Sequence, residues 1–264
     1  MLKISIVTPS FNQGRYLEDC LLSIKEQNYS NLEHIVVDGA STDGTVGILK
    51  HYSELPGWEH LRWISERDSG QAEAINKGLK LASGDILAFL CTDDAYTPGA
   101  FHFVNDFFRQ HPEAGLIYGE CHFIDQGKVV RRKKPLPFDQ SRLLRMNFIL
   151  QPTVFFRAEL WHRVGLFSEC LHYAMDYEYW LRASGVFRMV PVDRHLAYYR
   201  LHDDSKTVKT PRKQLREVYE VARRFGGGGL LSWYLLCVYW PGTARLKRWL
   251  LSRLIGVRVL GWQP

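Results

Sequence analysis

Asp85-Ile86-Leu87-Ala88-Phe89-Leu90-Cys91-Thr92-Asp93-Asp94 is an almost uninterrupted apolar run that stops on two adjacent acids. A strand that is apolar on both faces must be covered on both faces, as in the middle of a parallel sheet. The chain before it alternates strand and helix patterns. Residues 4–8 (Ile-Ser-Ile-Val-Thr) form a short β-rich run, broken by Pro9 and Gly14. Leu17, Leu21 and Ile24 then recur at helical spacing, which predicts a helix over 15–27. Residues 33–38 read as a second strand and 45–53 as a second helix. Residues 61–65 read as a third strand and 72–81 as a third helix. Strands alternating with helices predict an α/β fold with a mainly parallel central sheet flanked by helices.

In such sheets ligands bind outside the carboxyl ends of the strands. Here those ends are polar in a particular way. Asn12 and Gln13 follow the first strand, and Asp38, Ser41, Thr42 and Asp43 the second. Glu66, Asp68 and Ser69 follow the third, and Thr92, Asp93 and Asp94 the fourth. Loops are polar in any protein. A concentration of carboxylates is not expected from that alone in a chain of net charge +6. Adjacent carboxylates repel unless a cation lies nearby, and oxygen-only ligands suit Mg²⁺ or Mn²⁺. Neighbours in extended backbone point to opposite sides, so one Asp can meet a metal while the other holds a ribose hydroxyl or a loop amide. A turn-initiating Asp pair ahead of Pro98 is the bland alternative.

These motifs, taken in order, resemble glycosyltransferase family 2, of the GT-A fold. The resemblance rests on Ser5-Ile6-Val7-Thr8-Pro9-Ser10-Phe11-Asn12, Val36-Val37-Asp38-Gly39-Ala40-Ser41-Thr42-Asp43-Gly44-Thr45 and Asp93-Asp94. Residues 65–78 (Ser-Glu-Arg-Asp-Ser-Gly-Gln-Ala-Glu-Ala-Ile-Asn-Lys-Gly) and 174–182 (Ala-Met-Asp-Tyr-Glu-Tyr-Trp-Leu-Arg) resemble one branch of it. The likeness covers about residues 3–205. It implies an inverting transfer of a sugar from a nucleoside diphosphate to an acceptor hydroxyl. By the same resemblance Pro9, Phe11, Asn12, Asp38, Asp68, Lys77 and Asp93 belong to the nucleotide side. Asp94 and His202 would be metal ligands for Mn²⁺ or Mg²⁺, and Asp176 the catalytic base, with Glu178 two residues on as the neighbouring candidate. From the residues alone, Asp176 reads equally as a first-turn acid capping its own helix over 177–184.

The implied organisation is a GT-A domain over 1–210, with a nucleotide-binding half (1–95) and an acceptor-side half (96–210), followed by a helical, basic tail (211–264). Residues 147–156, with Gln151-Pro152-Thr153, are expected on the acceptor side. Tyr173 and Tyr177 are candidate sugar-stacking faces, whereas Trp161 and Trp180 are expected in the core. Arg131-Arg132-Lys133-Lys134 reads as a solvated loop.

The expected partners are a nucleoside-diphosphate sugar, with a UDP-sugar favoured, and a glycan or lipid-linked acceptor. The tail combines Trp, Leu and Arg with no acid from Arg245 to Pro264, which suits an interfacial segment on an anionic membrane surface. Packing on its own domain or a second subunit is the alternative. The basic charge comes without a nucleic-acid recognition motif, so no nucleic-acid partner is expected. Met1-Leu2-Lys3 runs straight into the first strand without a leader-like stretch, and five scattered cysteines show no zinc-ligand spacing. A cytoplasmic protein, peripheral on the inner face of the cell membrane, is the expectation. Two rivals are a nucleotidyltransferase, which would want a Gly-rich basic loop after the first strand, and a non-catalytic sugar-nucleotide binder, which would tolerate loss of the base.

Overall fold

The computed structural model describes residues 1–227. The first half alternates β1 (Ile4–Ser10), α1 (Gly14–Lys25), β2 (Leu32–Asp38), α2 (Thr45–Glu54), β3 (Leu61–Ser65), α3 (Gln71–Leu81) and β4 (Ile86–Phe89). The second half is less regular. It runs through β5 (Ala95–Tyr96), α4 (Ala100–Gln110), β6 (Ala114–Asp125), β7 (Lys128–Lys133), α5 (Gln140–Leu143) and a 3-10 turn at Gln151–Thr153. It ends with β8 (Phe155–Arg157), α6 (Ala158–Val164), α7 (Met175–Ser184), β9 (Arg188–Arg200), α8 (Lys206–Lys209) and α9 (Pro211–Arg224).

Among the described residues, nine strands form one sheet in the order β3-β2-β1-β4-β8-β6-β9-β5, with β7 paired to β6. β1 to β4 are mutually parallel. β8 reverses direction between β4 and β6, while β6 and β9 resume the first direction side by side. The sheet is therefore mainly parallel, with β5, β7 and β8 running the other way.

The apolar run of β4 explains why both faces are covered. Leu87 and Phe89 point into one core with Val7, Leu116, Tyr118, Phe167 and Trp180. Ile86 and Ala88 point into the other with Ile4, Ile6, Phe101, Val104 and Phe108. That alternation is the two-residue period of a strand. On the helices the period is longer. Leu17, Leu21 and Ile24 of α1 are fully buried, and so are Phe101 and Val104 of α4. Burying each such side chain contributes about 1.5–3 kcal/mol. Trp180 and Trp161 lie in the core as expected.

Three local expectations differ from the structure. β1 continues through Pro9 to Ser10, where Ser10 still sits in register with Asp38 of β2. Pairing with β4 ends at Val7 and Phe89, so past that point β1 has one neighbour, and the missing Pro N–H leaves no ladder bond unmade there. Arg131 to Lys133 are not loop: they belong to β7 and pair with Phe123 to Cys121, just before a bulge between Phe123 and Ile124. α9 does not stand apart as a tail. It packs Val221 and Ala222 into the core, and Glu217 accepts the amides of Tyr173 and Ala174 at 2.6 and 2.7 Å, ahead of α7. The aromatic and basic segment after residue 227 lies outside the described residues. No helix among the described residues is long and apolar enough to cross a membrane.

Candidate active site

A cleft of about 560 Å³ opens at the carboxyl ends of β1 to β4. Its floor and walls include Pro9, Ser10, Phe11, Gly39, Asp68, Asp93 and Asp94 from the first half, and Asp176 and Lys206 from the second. Phe11 is 60% exposed and presents its ring to the cleft. Gly39 leaves the space between Phe11 and Asp68. A Cβ there would lie 2.8 Å from Asp68 Oδ2 and 3.3 Å from the Phe11 ring. Burial pushes the Asp68 carboxyl up, while the Gly70 amide and Lys77 pull it back.

The two acids after β4 have different surroundings. Asp94 is buried, and its Oδ1 accepts the Arg200 amide at 3.0 Å. Burial, and then the Asp93 carboxylate beside it, push its carboxyl well above the usual range. Asp93 receives His202 Nε2 at 2.9 Å on Oδ2. The His202 ring is held in place by Tyr16, 4.7 Å away between centroids. Two facts bear on whether a divalent cation fits. Ligand atoms of Cys91, Asp93 and Asp94 all lie within 4.8 Å of one another. His202 Nδ1, Ser10 Oγ and Ser205 Oγ are buried without hydrogen-bond partners, and both serines line the cleft. Carboxylates and imidazole suit Mg²⁺ or Mn²⁺. Cys91 does not, because burial holds it as a thiol and Gln71 Nε2 already contacts its sulfur at 3.0 Å. Asp93 and Asp94 would supply the oxygens of such a site, with His202 bonded to Asp93.

Asp176 stands in the first turn of α7 and lines the same cleft. The Tyr177 amide donates to its Oδ1 at 2.7 Å and Asn147 Nδ2 to its Oδ2 at 3.3 Å. Burial outweighs these bonds and raises its pKa to about 6. Glu178 is placed differently. Arg182 holds both of its oxygens, at 2.8 and 2.9 Å, and it does not line the cleft.

Three residues expected on the nucleotide side do not line the cleft. Asp38 is fully buried and its carboxylate is taken up by Ser65 Oγ at 2.6 Å, the Ser41 amide at 3.0 Å and the Ser41 hydroxyl. Asn12 ties two loops together: Oδ1 accepts the Thr42 amide at 2.8 Å, and its own amide donates to Ser41 Oγ at 2.8 Å. Lys77 is neutralised by Glu66 at 2.8 Å and Glu73 at 2.9 Å. All three shape the loops that carry Phe11, Gly39 and Asp68. Of the candidate stacking tyrosines, Tyr173 lines the cleft, whereas Tyr177 is buried and donates its hydroxyl to the Leu143 carbonyl at 2.6 Å.

The family described as glycosyl transferase family 2 matches residues 5–162. The chain belongs to glycosyl transferase family 2. Within the family it is 28% identical to the chondroitin synthase of Escherichia coli over 209 residues, which is 78% of this chain and 30% of that protein. The chain thus spans about a third of the length of the first curated relatives it matches. Its fold is shared by S. aureus TarS (residues 1–349, in complex with UDP-GlcNAc), with a TM-score of 0.68 at 20% identity over 89% of this chain and 70% of that one. It is shared too by the mannosyltransferase PcManGT of Pyrobaculum calidifontis, in complex with GDP-Man and Mn²⁺, with a TM-score of 0.71 at 19% identity over 89% and 72% of the two chains.

The family's motifs do not account for the whole cleft. Gln151, His172, Ser205, Lys206 and Gln214 also line it. Lys206 is the notable one, since its ammonium contacts Gln71 Oε1 at 2.7 Å and the His172 carbonyl at 3.1 Å, with no carboxylate within ion-pair distance among the described residues. The available signal was a lysine four residues past His202, on a helix too short to have a periodicity.

Proposed function

We propose that the chain transfers a sugar from a nucleoside-diphosphate sugar to an acceptor hydroxyl with inversion, in the synthesis of a cell-surface polysaccharide or a lipid-linked glycan. The observation that carries this reading is one cleft lined by Asp93, Asp94 and Asp176, with His202 behind it bonded to Asp93. The donor's nucleoside would lie against Phe11, Gly39 and Asp68. Its diphosphate would point toward Asp93, Asp94 and Lys206. A bound Mn²⁺ or Mg²⁺, held by Asp94 and Asp93 with His202, would neutralise charge on the leaving diphosphate.

Asp176 then takes the proton of the acceptor hydroxyl. As that proton moves to the carboxylate, the acceptor oxygen bonds to the anomeric carbon and the bond from that carbon to the diphosphate oxygen breaks on the opposite face. A carboxylate with a pKa of about 6 is a stronger base than an ordinary aspartate and still mostly ionised near neutral pH. Lys206 meets the diphosphate as a point charge.

A thermal-shift panel of UDP, GDP and their sugar conjugates, with and without Mn²⁺, tests the donor assignment. Stabilisation that grows with nucleotide concentration and needs the cation is expected, largest for the UDP series. Absence of any nucleotide-dependent shift would remove the reading. The basic, acid-free composition of the last twenty residues supports a peripheral membrane location. The full chain should co-sediment with anionic vesicles, and a chain cut after residue 227 should not. Equal sedimentation of the two would assign that segment to protein contacts.

A further inference from the structure

Lys133 ends β7 with a half-buried side chain that has no hydrogen-bond or ion-pair partner among the described residues. An ammonium taken partly out of water without a counter-ion is costly, and burial together with Arg131 lowers its pKa. Its place in the sheet gives it a use. Lys133 sits opposite Cys121 and Arg131 sits opposite Phe123, so the two cations are two residues apart on one face of β7. The Arg131 guanidinium lies over the Phe123 ring at 5.5 Å. The Phe123 ring is 5.2 Å from that of Tyr199, which lines the cleft.

The acids nearby are already committed or placed elsewhere. Asp125 faces Lys128 at the other end of the hairpin. Glu120 holds His122 at 2.7 Å. Asp193 pairs with Lys134 at 3.7 Å. The chain leaving β7 also returns to the wall that carries Asp176. The Leu136 carbonyl accepts the Tyr118 hydroxyl at 2.7 Å, Phe138 packs on Phe148, and Asn147 beside it donates to Asp176.

We propose that Lys133 and Arg131 form an anion-receiving strip, continuous with the acceptor side of the cleft, that binds an acidic glycan acceptor. This rests on the glycosyl-transfer reading above. A single anionic group between the two cations relieves their mutual repulsion and gives Lys133 the counter-ion it lacks. The strip shares the face that carries Phe123 and Tyr199 toward the cleft, so it favours an extended chain leaving the site. The exposed Val129 and Val130 sit nearer the hairpin tip, and a membrane contact would be centred there.

The test uses the full chain and fluorescence anisotropy with labelled polygalacturonate and dextran sulfate octamers, neutral dextran of the same length, and phosphatidylglycerol vesicles as competitor. At least one acidic octamer should bind more tightly than neutral dextran. Lys133→Gln and Arg131→Gln should each weaken that binding about tenfold, as expected for a charged hydrogen bond. Lys133→Arg should retain it, and vesicles should compete poorly. The UDP- and Mn²⁺-dependent thermal shift should be unchanged in all three variants, which shows that they fold and that the donor side is intact. Equal affinity for acidic and neutral octamers overturns the proposal, as does unchanged acidic binding in both Gln variants, or binding lost to vesicles alone. If the wild-type chain binds acidic octamers but shows no nucleotide shift, the strip stands and the donor reading fails.

Discussion

His202 Nε2 lies 2.9 Å from Asp93 Oδ2, although 109 residues separate them in the chain. Because the other ring nitrogen, Nδ1, is buried without a partner, the imidazole is oriented by one carboxylate and offers its second nitrogen to something else. Asp94, the neighbouring acid, is held by the Arg200 amide two residues before His202. One short stretch at the end of β9 therefore sets the geometry of both acids.

We expect His202→Ala and Asp94→Asn each to weaken Mn²⁺-dependent UDP binding, with the cation-independent part unchanged. Loss of an orienting or ligating group in a metal site typically costs about 10–100-fold in metal affinity. Calorimetric titration of UDP at several Mn²⁺ concentrations reads this directly. Unchanged cation dependence in both variants would put the metal elsewhere.

Gly39→Ala tests the nucleoside wall without removing a charged group. The added Cβ would meet Asp68 Oδ2 at 2.8 Å, which forces the carboxylate or the Phe11 ring to move. The expected result is a raised KM for the donor with kcat little changed, since the wall meets the nucleoside equally in ground and transition states. A fall in kcat at saturating donor would mean that the wall also positions the reacting centre.

The parallel half of the fold was legible because β1, β2 and β4 bury residues on both faces and β1 to β4 end on polar loops, so apolar runs and turn residues coincide. The second half was not. β8 is three residues long, too short for a period to show, and it inserts antiparallel between β4 and β6. The basic run on β7 has the composition of a loop, and only its pairing with β6 makes it a strand. In the site, Asp68, Asp93 and Asp94 were legible as strand-end carboxylates, whereas Asp176, in the first turn of α7, was marked only by the family resemblance. Asp38 carries the same strand-end signature, yet its carboxylate serves the Ser41 turn and Ser65. Sequence position gives the loop, and hydrogen bonding decides which way the side chain faces.

Gly78 on α3 bears on stability alone. A Cβ at this position would run into Val7 Cγ1 and lie 3.2 Å from Val37 Cγ2, both fully buried in the sheet. Gly78→Ala should therefore destabilise the protein by about 1–3 kcal/mol, despite the better helix propensity of Ala. Urea denaturation should show a lower midpoint at unchanged slope. A neutral or stabilising effect would mean that α3 can move off the sheet at little cost.

Asp176 joins activity to pH. Its carboxyl is raised to about 6 by burial, so the base is half protonated at that pH and kcat/KM should rise through it and level off above. Asp176→Asn should lower kcat by about 10²–10⁴-fold while donor binding persists. Glu178→Gln should have a far smaller effect on turnover, because Arg182 already holds that carboxylate away from the cleft. Stability should move in the opposite sense. A carboxyl whose folded pKa lies above the ordinary 3.8 binds its proton more tightly in the native state. That contribution is fully present below the unfolded value and is lost as pH rises through about 6. At neutral pH the ionised Asp176 therefore costs the fold stability, and Asp176→Asn, which keeps the shape without the charge, should raise Tm there. The gain should shrink as pH falls toward the unfolded value. A residue that merely caps α7 predicts neither the loss of turnover nor the gain in Tm. An Asn variant with full turnover and unchanged Tm would return Asp176 to that role.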